Sequence, residues 1–214
     1  MTADPPPARR VLLLAGCFAD AGPAIGLAVA LAARTRAALE AVLALDPRAV
    51  AAEGAQIVAD GRPTGATLLL SRERLSLAYA ADARAFRSRL DRVAAKSKLR
   101  ASFRIDTGTL PDLALGMRQP GDAVILAYRR FLPLRGPVIA LEDEVDGPAA
   151  RLATELARML GTRARVLPAD TPPEALDPMP LSALVLSRAT LPAPARLAAL
   201  LDTARCPALL APDG

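Results

Sequence analysis

The sequence predicts a parallel α/β fold, because one strand-loop-helix unit occurs in it twice. A continuous apolar segment over residues 11–15 precedes an Ala- and Leu-rich helix over residues 22–33, and the same order returns at residues 137–141 and 147–158. In this alignment both helices begin with Gly-Pro-Ala, at an offset of 125 positions. Apolar runs of strand length are typical of parallel strands that are covered on both faces. We therefore predict two degenerate tandem repeats of an α/β unit.

The first predicted repeat covers residues 9–130. After the first strand and helix we expect, in order, a strand at 39–45, a hairpin-like insertion within 47–73, an amphipathic helix at 75–97, a strand at 101–105, a short helix capped by Thr109 and a strand at 123–128. The amphipathic helix is expected to turn these side chains inward: Leu75, Tyr79, Phe86, Leu90 and Val93. The insertion is placed on two short apolar segments, residues 56–59 and 66–70, that flank a turn containing Gly and Pro.

The second predicted repeat, residues 136–212, is shorter. Its expected elements are a strand at 137–141, a helix at 147–160, a strand at 164–167, a strand at 182–187, a helix at 194–203 and a strand at 207–211. A Pro-rich connector, residues 168–180, stands where the first repeat has its long helix and third strand. The acidic segment 142–146 either binds a divalent cation or, as we expect, is a solvated loop that favours the positive end of the following helix.

Composition excludes several classes of function. Hydrophobic residues make up 52% of the 214 positions, which is too many for a disordered chain. The sequence has no histidine, so Ser-His-Asp and Cys-His catalysis and histidine metal ligands are excluded. Cys17 and Cys206 are too few for a zinc site or a disulfide scaffold. We expect both to be buried thiols in a reduced, cytoplasmic compartment, with no metal bound.

The net charge of +5 and the pI of about 10.0 suggest an anionic partner at first sight. However, nearly all the positive charge is arginine, and we interpret it as a solvated surface of mixed charge. The basic stretch 84–104 keeps binding to nucleic acid or to an anionic membrane open as an alternative. Nucleic acid is not the expected partner, because aromatic residues, on which single strands stack, make up only 3% of the chain.

Residues 13–17, Leu-Leu-Ala-Gly-Cys after two arginines, match the lipobox of bacterial lipoprotein signal peptides. The apolar run before Cys17 is only Val11 to Leu14, whereas a secretory signal needs roughly 7 to 15 apolar residues. A membrane span over residues 11–33 is opposed by the Asp, Gly and Pro residues in its middle. We therefore expect no transmembrane segment and prefer a strand followed by a helix.

The order of the elements and the last strand resemble the universal stress protein family. The segment Ala204-Arg-Cys-Pro-Ala-Leu-Leu210 is similar to the closing A-x-C-P-V-L-V strand of that family. This resemblance implies a flavodoxin-like parallel sheet, of the kind shared with adenine nucleotide alpha hydrolases, for each repeat. It also implies pseudo-two-fold pairing of the halves and a cytoplasmic role in the stress response without classical catalysis.

The ATP-binding members of the family carry an acidic residue after the first strand and G-x2-G-x9-G-[S/T] after the fourth. Residues 127–136 and 187–194, which follow the corresponding predicted strands, lack this pattern of glycines. The first repeat has Ala15-Gly16 in place of the acidic residue, whereas the second has Glu142-Asp143. Because backbone N–H groups can approach a phosphate closely only where glycines permit it, we expect no ATP and no other cofactor.

Ligands of an open parallel sheet bind beyond the carboxyl ends of its strands. The candidate ligand-binding residues at these positions are Gly16, Asp20, Tyr128, Arg129, Asp143 and Arg188. None of them is a catalytic candidate. Arg129 and its neighbour Arg130 either hold an anion or, as we expect, serve a surface contact.

The sequence favours a non-catalytic, universal-stress-type regulatory protein that acts through a protein partner or as a homodimer. The alternative is an enzyme or a small-ligand-binding module of the adenine-nucleotide-binding superfamily with an altered site. We expect the contact to be made by the last strand, residues 207–211, as an edge strand with backbone groups available for pairing. On that hypothesis, Leu209→Arg weakens association and leaves the monomer folded.

Overall fold

The computed structural model describes residues 9–47, 56–57, 68–69, 72–127, 136–177, 179–187 and 193–212. Its strands are β1 (Arg10–Ala15), β2 (Ala38–Leu45), β3 (Gln56–Ile57), β4 (Leu68–Leu69), β5 (Ala101–Thr107), β6 (Asp122–Leu126), β7 (Val138–Leu141), β8 (Ala164–Leu167), β9 (Ala183–Leu186) and β10 (Ala208–Leu210). Its helices are α1 (Phe18–Thr35), α2 (Arg72–Lys96), α3 (Leu110–Met117), α4 (Pro148–Leu160) and α5 (Pro194–Ala204), with a 3-10 turn at Pro173–Leu176.

Eight of the strands form one mixed sheet in the order β5-β2-β1-β6-β10-β9-β7-β8. Neighbouring strands are parallel throughout, except that β10 and β6 are antiparallel. The predicted α/β class with a mostly parallel, flavodoxin-like sheet is therefore confirmed. The expectation of two separate parallel sheets is wrong, because the β6–β10 hydrogen bonds join the strands of both halves into one.

The last strand is not an edge strand, which corrects the sequence-based expectation. Leu209 lies opposite Ile125 of β6 on one side and Val185 of β9 on the other, and none of its surface is exposed. β10 therefore has hydrogen-bonding partners along both sides. The edges of the large sheet are β5 and β8 instead.

The two helices aligned by the repeat begin differently. Gly147 is the N-cap of α4 and Pro148 is its first residue, as predicted. In contrast, α1 begins at Phe18, so the Gly-Pro pair at residues 22 and 23 lies inside it. The earlier start has a visible cause, because the Phe18 N–H donates to the carboxylate of Asp82 on α2 at 3.1 Å. The predicted start of α1 is therefore wrong by about one turn.

Helices cover both faces of the sheet. Alternate side chains of the central strands point to opposite faces. Leu13 belongs to the apolar cluster that includes residues of α1, α2 and α4, whereas Leu12 belongs to the cluster that includes residues of α3 and α5. Phe86 and Leu90 of α2 are fully buried as predicted, and the Phe86 ring meets that of Phe103 edge-to-face at 5.3 Å between centroids. Large apolar residues thus fill the core on both faces.

The predicted insertion is confirmed where the structure describes it, because β3 and β4 pair in antiparallel fashion. The remainder of residues 48–71 lies outside the described residues. Among the helices that are described, none is both long and apolar enough to cross a membrane.

Candidate functional site

The carboxyl ends of the strands fall at two opposite ends of the sheet. Since β10 runs antiparallel to β6, the strands β7 to β9 point the opposite way from β1, β2, β5 and β6. Gly16 and Asp20 consequently lie at one end, and Asp143 lies at the other. The other three predicted site residues, Tyr128, Arg129 and Arg188, lie outside the described residues.

A cavity of about 670 Å³ occupies the end of the sheet where β1, β2 and β5 finish. It is bounded by the first turns of α1 and α3, by one face of α5 and by Tyr79 of α2. Its lining residues are Gly16, Cys17, Asp20, Ala44, Asp46, Tyr79, Gly108, Thr109, Leu110, Pro111, Asp112, Pro194, Ala195, Ala198, Leu201 and Asp202. Residues from both halves of the chain therefore build one pocket, of a volume usual for small-molecule sites.

The predicted residues Gly16 and Asp20 are brought together in this pocket. A methyl group on Gly16 would lie 3.7 Å from the Asp20 carboxylate and 3.9 Å from the Leu110 side chain, which are ordinary contact distances. No close contact therefore requires glycine at this position. Asp143 takes no part, because its carboxylate accepts the Ala169 N–H at 3.0 Å at the opposite end of the sheet.

The cavity contains two weak acids whose protons are held tightly. Burial raises the pKa of the Cys17 thiol, and the nearby charge of Asp20 adds to the rise. Burial also raises the pKa of the Tyr79 hydroxyl, followed by the charges of Asp46 and Asp82. A protonated thiol is a poor nucleophile, so Cys17 is not placed as a reactive cysteine. Tyr79 was predicted to be a core residue, which is wrong, since it is half-buried and lines the cavity.

Acceptors from the chain itself occupy the first turns of the helices that follow β1, β5 and β7. Asp82 accepts the Phe18 N–H of α1, and Glu142 accepts the Ala150 N–H of α4 at 3.0 Å. Thr109 accepts the Asp112 N–H of α3 at 3.3 Å. Because free N–H groups at such positions are what binds phosphate, each of these contacts removes one donor that an anion could use.

The acidic segment 142–146 was expected to favour the positive end of the following helix, and the Glu142 contact confirms this. The expectation that it is solvated is wrong for Glu142, which is only 5% exposed because its carboxylate points into the first turn of α4. Among the described residues no group of three or more acidic or cysteine side chains is arranged to hold a metal ion.

The described wall of the cavity carries four carboxylates and neither lysine nor arginine. They belong to Asp20, Asp46, Asp112 and Asp202, while the rest of the wall is mostly apolar. Asp46 follows β2 directly, and this position could have identified it from the sequence. The wall from α5 could not have been identified in that way, because it depends on how the two halves pack.

The chain matches no family model and no curated protein at a significant level. It aligns over 96% of its length with a universal stress family protein from Burkholderia pseudomallei, covering 97% of that chain at 17% identity and a TM-score of 0.35. The universal stress protein UspA from Lactobacillus plantarum gives 95% and 97% coverage, 15% identity and a TM-score of 0.36. A universal stress protein from Archaeoglobus fulgidus aligns over 96% of both chains, at 7% identity and a TM-score of 0.46.

Proposed function

We propose that this chain is a universal-stress-type regulatory protein of the cytoplasm, without catalytic activity, that acts through protein contacts and does not bind ATP. The resemblance of the closing strand, residues 204–210, supports the family type. The main observation in favour of lost ATP binding is the lining of the carboxyl-end cavity. Four aspartates line this cavity, and the described part of its wall has no basic residue.

The sign of the charge makes this pocket unsuitable for a triphosphate. Two like unit charges 7 Å apart repel by about 2 kcal/mol at an effective dielectric constant of about 20, and ATP brings several negative charges. Phosphate sites normally offset such charge with free helix N–H groups, basic side chains or glycine loops. In this chain the helix N–H groups at 18, 112 and 150 already have acceptors. The glycines of a phosphate loop are missing from the sequence after β6 and β9.

The side chains that line this cavity also support the proposal that the chain has no catalytic activity. Acid–base and nucleophilic mechanisms need a group whose pKa lies near the working pH or an activated nucleophile. Burial instead moves the pKa of Cys17 and of Tyr79 further above neutrality. The chain has no histidine to act as a base.

Calorimetric titration with ATP and Mg²⁺ tests the first part of the proposal. We expect a dissociation constant weaker than about 100 µM, which corresponds to about −5.5 kcal/mol. The physical reason is the repulsion between the phosphates and the aspartates that line the cavity. A tighter constant, with one site per chain, would contradict the proposal.

Light scattering coupled to size exclusion tests the protein contact. We expect a mass above one chain that rises with protein concentration, because a second copy is the simplest partner. Edge-to-edge strand pairing is not the expected mode, since the edges β5 and β8 carry the exposed arginines Arg104 and Arg165, which oppose it. A mass of one chain at every concentration would contradict self-association, and a native-lysate pull-down without a saturable partner would then contradict the wider proposal.

One observation favours the second candidate function, a small-ligand-binding module. The cavity is large enough for a compact ligand and is bounded by residues of both halves. Binding there is compatible with a regulatory protein if the ligand is not a phosphate.

A further inference from the structure

The positive charge of the chain is concentrated in one stretch of sequence. Residues 84–100, which end α2 and lead to β5, contain seven basic residues and one acidic residue, so this stretch carries a charge of +6. The whole chain carries +5, and the residues outside the stretch therefore sum to −1. Both lysines of the chain, Lys96 and Lys98, fall within it. Such a concentration of charge attracts a negatively charged partner.

Part of this charge forms a row along the exposed side of α2. Arg84, Ser88, Arg92 and Lys96 follow one another at intervals of four residues, so they lie on successive turns of one helix face. All four side chains are exposed, while the opposite face of the helix packs into the core. The row, which we call the basic face, extends over about 18 Å. It therefore offers three cations in a line to a partner.

An acidic counterpart lies in the loop between β7 and α4. Glu144, Val145 and Asp146 are all exposed, and Val145, at 76%, is the most exposed large hydrophobic residue that the structure describes. The neighbouring Asp143 carboxylate instead accepts the Ala169 N–H at 3.0 Å. Residues 144–146, which we call the acidic loop, thus combine two carboxylates with an apolar side chain. Carboxylates bind arginine by charge-assisted hydrogen bonds, and the valine gains free energy when it leaves water.

The basic face and the acidic loop lie at the same end of the sheet but near opposite edges. Helix α2 ends just before β5 begins, and the acidic loop follows the end of β7, which runs opposite to β5. Helices α2 and α4 cover the same face of the sheet, because both contribute to one apolar cluster. Five strands separate β5 from β7, which places these two strands about 29 Å apart. The acidic loop is therefore too far away to neutralise the basic face within one chain.

From this arrangement we infer that the basic face binds the acidic loop of a second copy of this chain. A two-fold axis makes the contact occur twice, since the basic face of each protomer then meets the acidic loop of the other. Glu144 and Asp146 accept hydrogen bonds from Arg84 and Arg92, and Val145 packs against the apolar stems of these arginines. Complementary charge of this kind fixes the orientation of the two copies.

A second copy fits the basic face better than nucleic acid does. Beside the basic face, the exposed Arg87 lies 4.0 Å from the carboxylate of the exposed Asp91. A carboxylate among the arginines repels phosphates, whereas the rim of a protein interface is ordinarily polar. Binding to nucleic acid would also leave the acidic loop without a role.

This inference rests on the proposed function, because it names the surface through which the protein contact is made. The two are nevertheless separable. If the wild-type chain associates but changes in the basic face leave that association unaltered, this inference alone fails. If the wild-type chain stays monomeric at every concentration, self-association and this inference fail together, and the pull-down then decides whether the proposed function stands.

Sedimentation equilibrium of the full chain at several concentrations measures the association. We expect a dimer with a dissociation constant of about 10 to 100 µM, so that the chain is mainly monomeric at low micromolar concentrations. Because exposed charges hold the contact, raising NaCl from about 0.05 M to about 0.5 M should weaken the dimer at least about 5-fold. A dimer whose affinity does not change with salt would overturn the inference.

An exchange of charges locates the contact. The basic-face variant is Arg84→Glu with Arg92→Glu, and the loop variant is Glu144→Arg with Asp146→Arg. Each variant alone brings like charges together and should associate with itself at least about 10-fold more weakly than the wild type. In an equimolar mixture the exchanged charges match again, so a mixed dimer should form with an affinity within about 3-fold of the wild type. The two variants carry net charges of +1 and +9, so attraction between whole molecules cannot explain a mixed dimer.

Arg158→Glu with Arg163→Glu is the matched control for the basic-face variant. It changes the net charge by the same amount at two exposed positions, after the end of β7's helix α4 and before β8, at the other end of the sheet. We expect it to associate as the wild type does. Circular dichroism melting establishes that each variant remains folded. If the loop variant unfolds, Glu144→Arg alone replaces it, because the start of α4 favours negative charge.

The outcomes of the exchange are distinct. A mixed dimer of the two variants, with wild-type association of the control, supports the contact. Unchanged self-association of either variant, a mixture that stays monomeric, or equal weakening in the control would overturn it. A monomeric wild-type chain that binds a short duplex DNA through Arg84 and Arg92 would overturn it in favour of nucleic acid.

Discussion

Leu209→Arg is expected to unfold the chain rather than to release a monomer from a dimer. The Leu209 side chain is fully buried at the centre of the sheet, between β6 and β9. An arginine there must bury an unpaired charge or break the strand pairing that joins the two halves. Either result costs more than about 4 kcal/mol, which is comparable with the whole stability of many domains. Urea unfolding followed by circular dichroism measures the loss.

Val145→Arg is the matched control for this prediction. Val145 is 76% exposed in the loop before α4, so the same new charge should change stability by less than about 0.5 kcal/mol. A Leu209→Arg protein that unfolds cooperatively near the wild-type urea midpoint would contradict the position of β10 in the sheet.

Arg10→Met is expected to give the second large loss of stability, about 3 to 5 kcal/mol, because it leaves a buried carboxylate without its cation. The Arg10 guanidinium donates to Asp122 Oδ2 from Nε at 3.1 Å and from Nη2 at 2.5 Å. It also donates to Glu40 at 2.6 Å and to the Met117 carbonyl at 3.0 Å. Asp122 is only 1% exposed. The hydrogen bond to Asp122 is the main reason why the pKa of Arg10 is raised.

Arg104→Met is the control for this second prediction. Arg104 also contacts Glu40, at 2.9 Å, but its side chain is 48% exposed, and its loss should cost less than about 1 kcal/mol. Adding Asp122→Asn to Arg10→Met should recover part of the stability, since the buried charge is then removed. Equal costs for Arg10→Met and Arg104→Met in urea unfolding would contradict the account of the network.

Most of the fold could be predicted from local patterns. The apolar runs at residues 11–15 and 138–141 are strands buried on both faces, and such runs carry a clear signal. The start of α1 could not be predicted, because it depends on Asp82, which lies more than 60 positions away in the sequence. When the capping side chain comes from another helix, the sequence around the start of the capped helix contains no capping pattern.

The position of the last strand could not be predicted from the sequence, for a related reason. A short apolar segment such as residues 208–210 has the same composition at the edge or at the centre of a sheet. Only the antiparallel pairing with β6 places it at the centre, and that pairing depends on how the two halves meet.

The candidate site was predicted in part. Gly16 and Asp20 follow from the rule that ligands bind beyond the carboxyl ends of parallel strands, and both line the cavity. Tyr79 was assigned to the core because helical periodicity does not separate a core position from the lining of a cavity. The wall on α5 requires the tertiary structure.

A titration series of adenosine, AMP and ATP tests the central claim most directly, because the three ligands share a nucleoside and differ in phosphate charge. The claim is that the carboxyl-end cavity, lined by Asp20, Asp46, Asp112 and Asp202, opposes phosphate. We expect affinity to stay equal or to fall from adenosine to ATP in calorimetry at fixed ionic strength with Mg²⁺ present. Affinity that rises with each added phosphate, as a working phosphate site produces, would contradict it.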